Sequence, residues 1–273
     1  MICTNCVMDT TDPRIVFDEF GVCDNCINYK KNVMPYYLSN IKNDAFHPIA
    51  NKISEEGRGK DFDCILGMSG GLDSSFLLHK MVTEYNLRPL VFHVDAGWNS
   101  DTAVSNIKKL TAELNLDLYT EVINWPEMRS LQNAFFKSGV PHLDVPQDHA
   151  FISVLYHYAS KYKIKYILNG GNFSTEGIRN PLAWLYFGSD KKQLLDINNR
   201  FGEKKLKYYP TTNVLWHKFF LSHFKTIKVI KPLNFIEYNK REAEKELFEA
   251  YGWKGYQQKH FESRFTRFFE GYW

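Results

Sequence analysis

A short apolar run, Phe62-Asp63-Cys64-Ile65-Leu66-Gly67, leads into Met68-Ser69-Gly70-Gly71-Leu72-Asp73-Ser74-Ser75, and then into a helical pattern over residues 74–85. This order limits the fold more than any other feature. A buried strand, a glycine-rich loop and a helix call for a neighbouring parallel strand reached by the crossover. The pattern that follows supplies it. Strands are expected at 89–94, 116–123, 164–168 and 227–230, and helices at 101–114, 125–137, 147–162 and 239–250. Strands separated by helices make an α/β fold, a parallel sheet with helices on both faces. Such sheets bind ligands beyond the carboxyl ends of their strands, where the glycine-rich loop falls.

Each residue type in the loop has a physical use. Gly70 and Gly71 reach backbone angles closed to other residues and let N–H groups approach an anion. The helix start adds unpaired N–H groups and partial positive charge. Ser69, Ser74 and Ser75 offer hydroxyls to phosphate oxygens. Asp73 would repel a phosphate unless magnesium (Mg2+) lay between them. The loop lacks both the Gly-Lys-Ser/Thr ending and the Gly-x-Gly-x-x-Gly spacing of the two commonest nucleotide loops.

Further candidates end the neighbouring strands. His93-Val94-Asp95 closes the second, where Asp95 either helps hold magnesium or makes an ordinary strand-end turn. Asn169-Gly170-Gly171-Asn172 closes the fourth, with Ser174, Thr175 and Glu176 beyond. Gly170 and Gly171 would allow close approach to phosphate or ribose. Asn172 and Glu176 would touch substrate, ammonia or metal; alternatively Asn172 or Ser174 caps a helix. His149, beside Asp148 at a helix start, either contacts substrate and relays a proton or is structural.

Of five cysteines, four form Cys3-x-x-Cys6 and Cys23-x-x-Cys26, sixteen residues apart. Two such turns complete a tetrahedral, structural zinc (Zn2+) site with no open position for water. Residues 1–45 are expected to hold this zinc ribbon and the start of a linker, 46–60 the linker, and 61–273 the α/β domain. Cys64, inside the first strand, is expected in the core. The net charge of +3, and a ribbon carrying Asp9, Asp12, Asp18 and Glu19 against Arg14, argue against a nucleic-acid partner. No membrane-spanning run and no signal peptide is recognisable, so a cytoplasmic protein without membrane insertion is expected.

Ser69-Gly70-Gly71-Leu72-Asp73-Ser74 resembles the pyrophosphate loop of the N-type ATP pyrophosphatases. The resemblance implies that ATP is held by its β- and γ-phosphates, with the α-phosphate open to attack and pyrophosphate as leaving group. In that fold the His93 and Asp95 region lies by the adenosine. The ribbon segment Cys3-Thr4-Asn5-Cys6-Val7-Met8-Asp9, then Gly21-Val22-Cys23, the loop, Pro146-Gln147-Asp148-His149-Ala150 and Asn169-Gly170-Gly171-Asn172 together resemble the N-acetyl sugar amidotransferases. These serve lipopolysaccharide O-antigen, pseudaminic acid and legionaminic acid pathways, and the likeness covers nearly the whole chain.

The family's implied reaction turns a sugar acetamido group into an acetamidino group through an O-adenylyl intermediate and ammonia. The acceptor is an acetamido sugar or nucleotide sugar. No glutaminase motif is recognisable, so glutaminase and cyclase-like subunits are implied as the ammonia source; a homodimer is allowed. The resemblance makes Asp73, Ser69, His149 and Glu176 the catalytic candidates. It puts Gly67, Met68, Ser69, Gly70, Gly71, Asp73, Ser74, Ser75, His93, Asp95, Gly170 and Asn172 around ATP, with Asp73 on magnesium. Arg179-Asn180-Pro181-Leu182-Ala183-Trp184 is expected to line the sugar pocket; Arg179, Lys191 and Lys192 would meet a nucleotide diphosphate or stay solvated. Family members continue past a segment like 261–273, so a truncated chain, or a missing part supplied by a partner, is expected. Three other readings stay open: a tRNA-modifying ATPase of thiolation or lysidine type, a non-catalytic scaffold, and a ligase that adenylylates a carboxylate.

Overall fold

A computed structural model describes residues 1–177, 188–216, 227–258 and 261–272. Five strands form one parallel sheet: β1 (Cys64–Gly67), β2 (Pro89–Asp95), β3 (Leu118–Val122), β4 (Tyr166–Leu168) and β5 (Lys228–Ile230). Their order is β3-β2-β1-β4-β5. Three helices precede the sheet: α1 (Asp24–Asn28), α2 (Met34–Lys42) and α3 (Phe46–Gly57). After β1 come α4 (Leu72–Thr83), α5 (Asp101–Glu113), α6 (Trp125–Ser138), α7 (Val145–Lys161), α8 (Phe173–Glu176), α9 (Lys191–Phe201), α10 (Lys240–Tyr251) and α11 (Arg264–Tyr272).

The three central strands, β2, β1 and β4, are buried on both faces, and their alternation divides the core in two. Ile65, Leu90, Phe92, Val94 and Ile167 pack with Leu131 and Phe135 of α6, Val154 of α7 and Leu194 of α9. Their neighbours Cys64, Leu66, Val91, Tyr166 and Leu168 pack with Leu77 of α4, Leu110 of α5, Ile53 of α3 and Leu247 of α10. A period of two with both sets buried is the mark of a covered parallel sheet. Cys64 is fully buried, and burial pushes its thiol pKa up, so it is a core residue. Among the described residues no helix is long and apolar enough to cross a membrane.

The linker expected at 46–60 is instead a core element. Helix α3 buries Phe46, Ala50 and Ile53 against the sheet. Its apolar positions repeat at four and three residues, a helical stripe thinned by the charges between them. Asp63, just past α3, is buried and binds Arg88: Arg88 Nη2 donates to Oδ1 at 2.6 Å and its backbone N to Oδ2 at 2.9 Å. The same guanidinium donates to the carbonyls of Gly57 and Lys60, tying the end of α3 to the start of β2. Asp63→Ala is expected to cost about 2 kcal/mol, because it strands a backbone N–H and half of an ion pair. Urea unfolding of the variant checks this.

The N-terminal segment is docked on the sheet domain by polar bonds. Tyr29 Oη donates to the Phe173 carbonyl at 3.1 Å, Tyr37 Oη to that of Ile236 at 3.3 Å, and Asn40 Nδ2 to that of Asn234 at 3.1 Å. These bonds seat α1, α2 and the π-helical turn between them (Tyr29–Val33) against α8 and residues 232–238.

Candidate active site

Strand β1 lies between β2 and β4, so the chain leaves it in one direction and returns on its other side. That reversal opens a crevice at the carboxyl end of β1, where α/β sheets bind ligands. The loops after β1 and β4 meet there. An added Cβ on Gly170 would stand 3.2 Å from the Asp73 carbonyl carbon and 3.3 Å from Ser74 N. A glycine is what lets the second loop come this close.

Gly70 has φ +81°, and a Cβ on it would stand 2.7 Å from the Ala103 carbonyl oxygen. Both the backbone angle and the space exclude a side chain. Helix α4 then starts at Gly71 with no side-chain cap, whereas Ser100, Asn124, Asp190 and Asn239 cap α5, α6, α9 and α10. No N-cap side chain covers its first turn, and the partial positive charge of the helix start faces the cleft lined by Gly71, Asp73 and Ser74. Gly71 N donates to Ser69 Oγ and Ser74 Oγ to the Gly71 carbonyl, both at 3.2 Å, which fixes the two hydroxyls across the loop.

Ser69, Gly71, Asp73 and Ser74 line a cleft of about 120 Å³ together with Glu176 and Lys240. Tyr238 Oη donates to Asp73 Oδ1. Burial, and then the Asp73 charge, raise the Tyr238 pKa, so the phenol stays a donor. Lys240 is a residue that sequence reasoning missed. It is the first residue of α10, directly after the capping Asn239. A lysine at a helix start opposes the helix dipole, and that was the signal available.

A second cleft of about 540 Å³ opens on the other side of the loop, at the end of β2, and shares Ser69 and Glu262 with the first. Glu262 was also missed. Its carbonyl accepts from Ser100 N at 2.9 Å, and an added Cβ on Gly71 would stand 3.0 Å from its Oε1. The segment carrying it is held further by Arg264, which reaches Asp101 at 3.1 Å. His93 lines this cleft with a fixed tautomer: Nδ1 donates to the Met68 carbonyl at 2.7 Å, so Nε2 accepts from Asn99 Nδ2 at 3.0 Å. The Met68 side chain is buried, its N–H donates to the Phe92 carbonyl, and Gly67 leaves room for the Phe151 ring.

Several expected site residues serve structure instead. Ser75 is buried, its hydroxyl accepts from Trp253 Nε1 at 3.1 Å, and it does not line the first cleft. Asn172 is buried and caps α8, its Oδ1 accepting from Thr175 N at 2.8 Å and its Nδ2 donating to the Gly170 carbonyl. His149 is buried with both ring nitrogens bonded: Nδ1 donates to the Gly188 carbonyl at 2.8 Å and Nε2 accepts from Thr212 N at 3.0 Å. It ties α7 to residues 188–212 and is no proton relay in this geometry. Asp95 Oδ1 closes a turn by accepting from Gly97 N at 2.8 Å and Asn99 Nδ2 at 3.0 Å. Lys191 and Lys192 open α9 and line neither cleft. Arg179, Asn180, Pro181, Leu182, Ala183, Trp184 and Trp273 lie outside the described residues.

The second cleft also contains Asp144. Its Oδ2 accepts from Thr266 Oγ1 at 2.9 Å, while its Oδ1 is buried without a hydrogen bond. Burial, and then the Asp148 carboxylate, push its pKa up to about 7 from 3.8; Thr266 and His142 pull it down, and Glu270 adds to the rise. The folded form therefore holds the proton more tightly than the unfolded one. The stability this gives is full below pH 3.8 and is lost as pH rises through about 7. Asp144→Asn is expected to flatten the decline in stability between roughly pH 4 and pH 7, read from thermal unfolding across pH.

At the N-terminus the Sγ atoms of Cys3, Cys6, Cys23 and Cys26 lie within 4.8 Å of one another, and none is in a disulfide. Cys6 and Cys23 are 3.7 Å apart. Four sulfurs at about 2.3 Å from one tetrahedral ion would be about 3.8 Å apart, so the set fits a single metal ion. Cys3 Sγ accepts from Cys23 N at 3.2 Å, and Cys26 Sγ accepts from Asn5 Nδ2 at 3.3 Å.

No known protein-family profile matches the chain. An uncharacterised protein of Methanocaldococcus jannaschii is 27% identical over 119 residues, which are 43% of this chain and 41% of that protein. The match thus spans about two fifths of that curated relative's length. Among solved structures, the U34-tRNA thiolase of Methanococcus maripaludis with its 4Fe–4S cluster is similar at TM-score 0.41 and 15% identity, over 96% of this chain and 76% of that one. The ammonia-dependent NAD synthetase of Campylobacter jejuni, in complex with nitrate, is similar at TM-score 0.36 and 17% identity, over 74% of this chain and 81% of that one.

Proposed function

We propose that the chain is an ATP pyrophosphatase that activates an acetamido oxygen and exchanges it for ammonia, forming an acetamidino sugar. The observation that supports this best is the uncapped start of α4. It follows Gly70 in the left-handed region and shares one cleft with Asp73, Glu176 and Lys240. Backbone N–H groups, two serine hydroxyls and an ammonium are a donor set for pyrophosphate oxygens.

In this reading the α4 amides, Ser69, Ser74 and Lys240 hold the β- and γ-phosphates and take up charge as pyrophosphate departs. Asp73, oriented by Tyr238, would hold Mg2+ with Glu176 nearby. Bound there, the ion would screen the phosphates from the carboxylates and stabilise the leaving group. The adenosine takes the cleft beside His93. The acetamido oxygen attacks the α-phosphorus and the α–β bridging bond breaks. Ammonia then adds to the acetamido carbon, and AMP leaves carrying that oxygen, which leaves the amidine. Ammonia comes from glutaminase and cyclase-like subunits, and the acceptor is an acetamido sugar or nucleotide sugar.

The four thiols hold a structural Zn2+, whose single-ion spacing they match. An Fe–S cluster holds its cysteine sulfurs farther apart than one ion does. Sulfur transfer is disfavoured, because Cys64 is buried and the other four cysteines converge on one point.

The test is to incubate the protein with ATP, magnesium, ammonium and a panel of acetamido sugars and nucleotide sugars. One acceptor should yield AMP, pyrophosphate and a product lighter by the difference between O and NH. A mass unchanged for every acceptor, with ATP nonetheless consumed, would remove the amidine chemistry.

A further inference from the structure

Between the four-cysteine ribbon and the sheet domain lies a third cleft, of about 300 Å³, that no step above uses. Asn25 and Asn28 line it from the ribbon side, and Lys231, Asn234 and Glu176 from the sheet side. Glu176 also lines the phosphate-loop cleft, so the two cavities adjoin.

We infer that this seam is the acceptor site, and that it takes a polyhydroxylated, anionic acetamido sugar whose phosphate meets Lys231. The inference rests on the proposed activity and names where its acceptor sits. Three observations support it. First, beside the Glu176 carboxylate the polar side chains of the walls are amides and one ammonium, groups that donate to hydroxyls and phosphate oxygens, while the amides and the carboxylate accept from sugar hydroxyls. Asn28 Oδ1 already accepts from Asn32 Nδ2 at 2.7 Å, which fixes the amide with its Nδ2 toward other acceptors. Second, the ammonium has a made place. An added Cβ on Gly171 would stand 3.0 Å from Lys231 Nζ, and among the described residues no carboxylate pairs with it. Third, the two walls are joined: Tyr29 bonds to Phe173 and Asn40 to Asn234 across the seam. The ribbon then does more than fold. It supplies one wall of the site, and the metal acts on acceptor binding through the position of α1.

The test reads binding and needs no turnover. The protein is saturated with magnesium and α,β-methylene-ATP, so that the nucleotide cleft is filled, and saturation-transfer NMR is recorded with N-acetylglucosamine 1-phosphate. Transfer to the acetamido methyl and ring protons is expected. Lys231→Met and Asn28→Leu, both at exposed positions, should each weaken binding about tenfold with nucleotide binding unchanged. N-acetylglucosamine without phosphate should bind more weakly and lose its response to Lys231→Met. No transfer from the wild-type protein, or transfer that both variants leave unaltered, would overturn the inference. A failure of the activity itself would show as the wrong cleavage products, which this binding measurement does not depend on.

Discussion

Asp73→Asn is expected to slow ATP cleavage by roughly a thousandfold, the scale of removing one charge-stabilising group from a transition state, while leaving the fold intact. The substitution keeps the shape of the side chain and removes its charge. Asp73 lies in the first turn of α4 and lines the same cleft as Ser69, Ser74 and Lys240. In the proposed reading its carboxylate would repel the triphosphate unless it held a cation there. Tyr238 donates to one carboxylate oxygen and orients the group, so Tyr238→Phe should give a milder loss, about tenfold. Rates of AMP formation, set beside thermal unfolding of each variant, check both. If Asp73→Asn cleaved ATP at the wild-type rate, the cation would have to be held elsewhere.

The second large effect is expected from the ribbon. Cys23→Ser, or removal of the metal by a chelator, should unfold residues 1–28 and leave the sheet standing. The ribbon's buried set consists of Cys3, Cys23 and Cys26, with only a few half-buried residues such as Met8, Ile15 and Phe17 around them. That is too little apolar surface to fold without metal, whose binding in small ribbons contributes about 10 kcal/mol or more. The two core clusters of the sheet share no residue with it. Hydrogen exchange should therefore rise sharply in residues 1–28 and hardly at all in β1 and β2. Nucleotide binding should survive, while acceptor binding should fall with the loss of the α1 wall. Unchanged exchange in the ribbon after metal removal would mean that the thiols are not its main support.

The strand and helix pattern was legible because burial on both faces writes itself as continuous apolar runs. The helices at 101–113 and 125–138 carried strong stripes, and their caps, Ser100 and Asn124, accept from Ala103 and Glu127 N–H groups. Helix α3 was not legible. Three buried positions among lysines and glutamates look like a solvated connection until the sheet surface they cover is known. The loop was legible because its glycines and its aspartate are costly anywhere else. Asn172 and His149 were not, since a polar residue just past a strand or in the first turns of a helix serves structure or a ligand equally well, and only the partners decide. Lys240 and Glu262 reach the cleft from segments far along the chain, and nothing in their local sequence shows which loop they meet.

The central claim is that ATP is opened at its α-phosphate. The direct measurement is phosphorus NMR of the products formed from ATP, magnesium, ammonium and the acceptor, whose acetamido oxygen is labelled with oxygen-18. The account predicts AMP and pyrophosphate in equal amounts, with the label in AMP. ADP with labelled orthophosphate would contradict it.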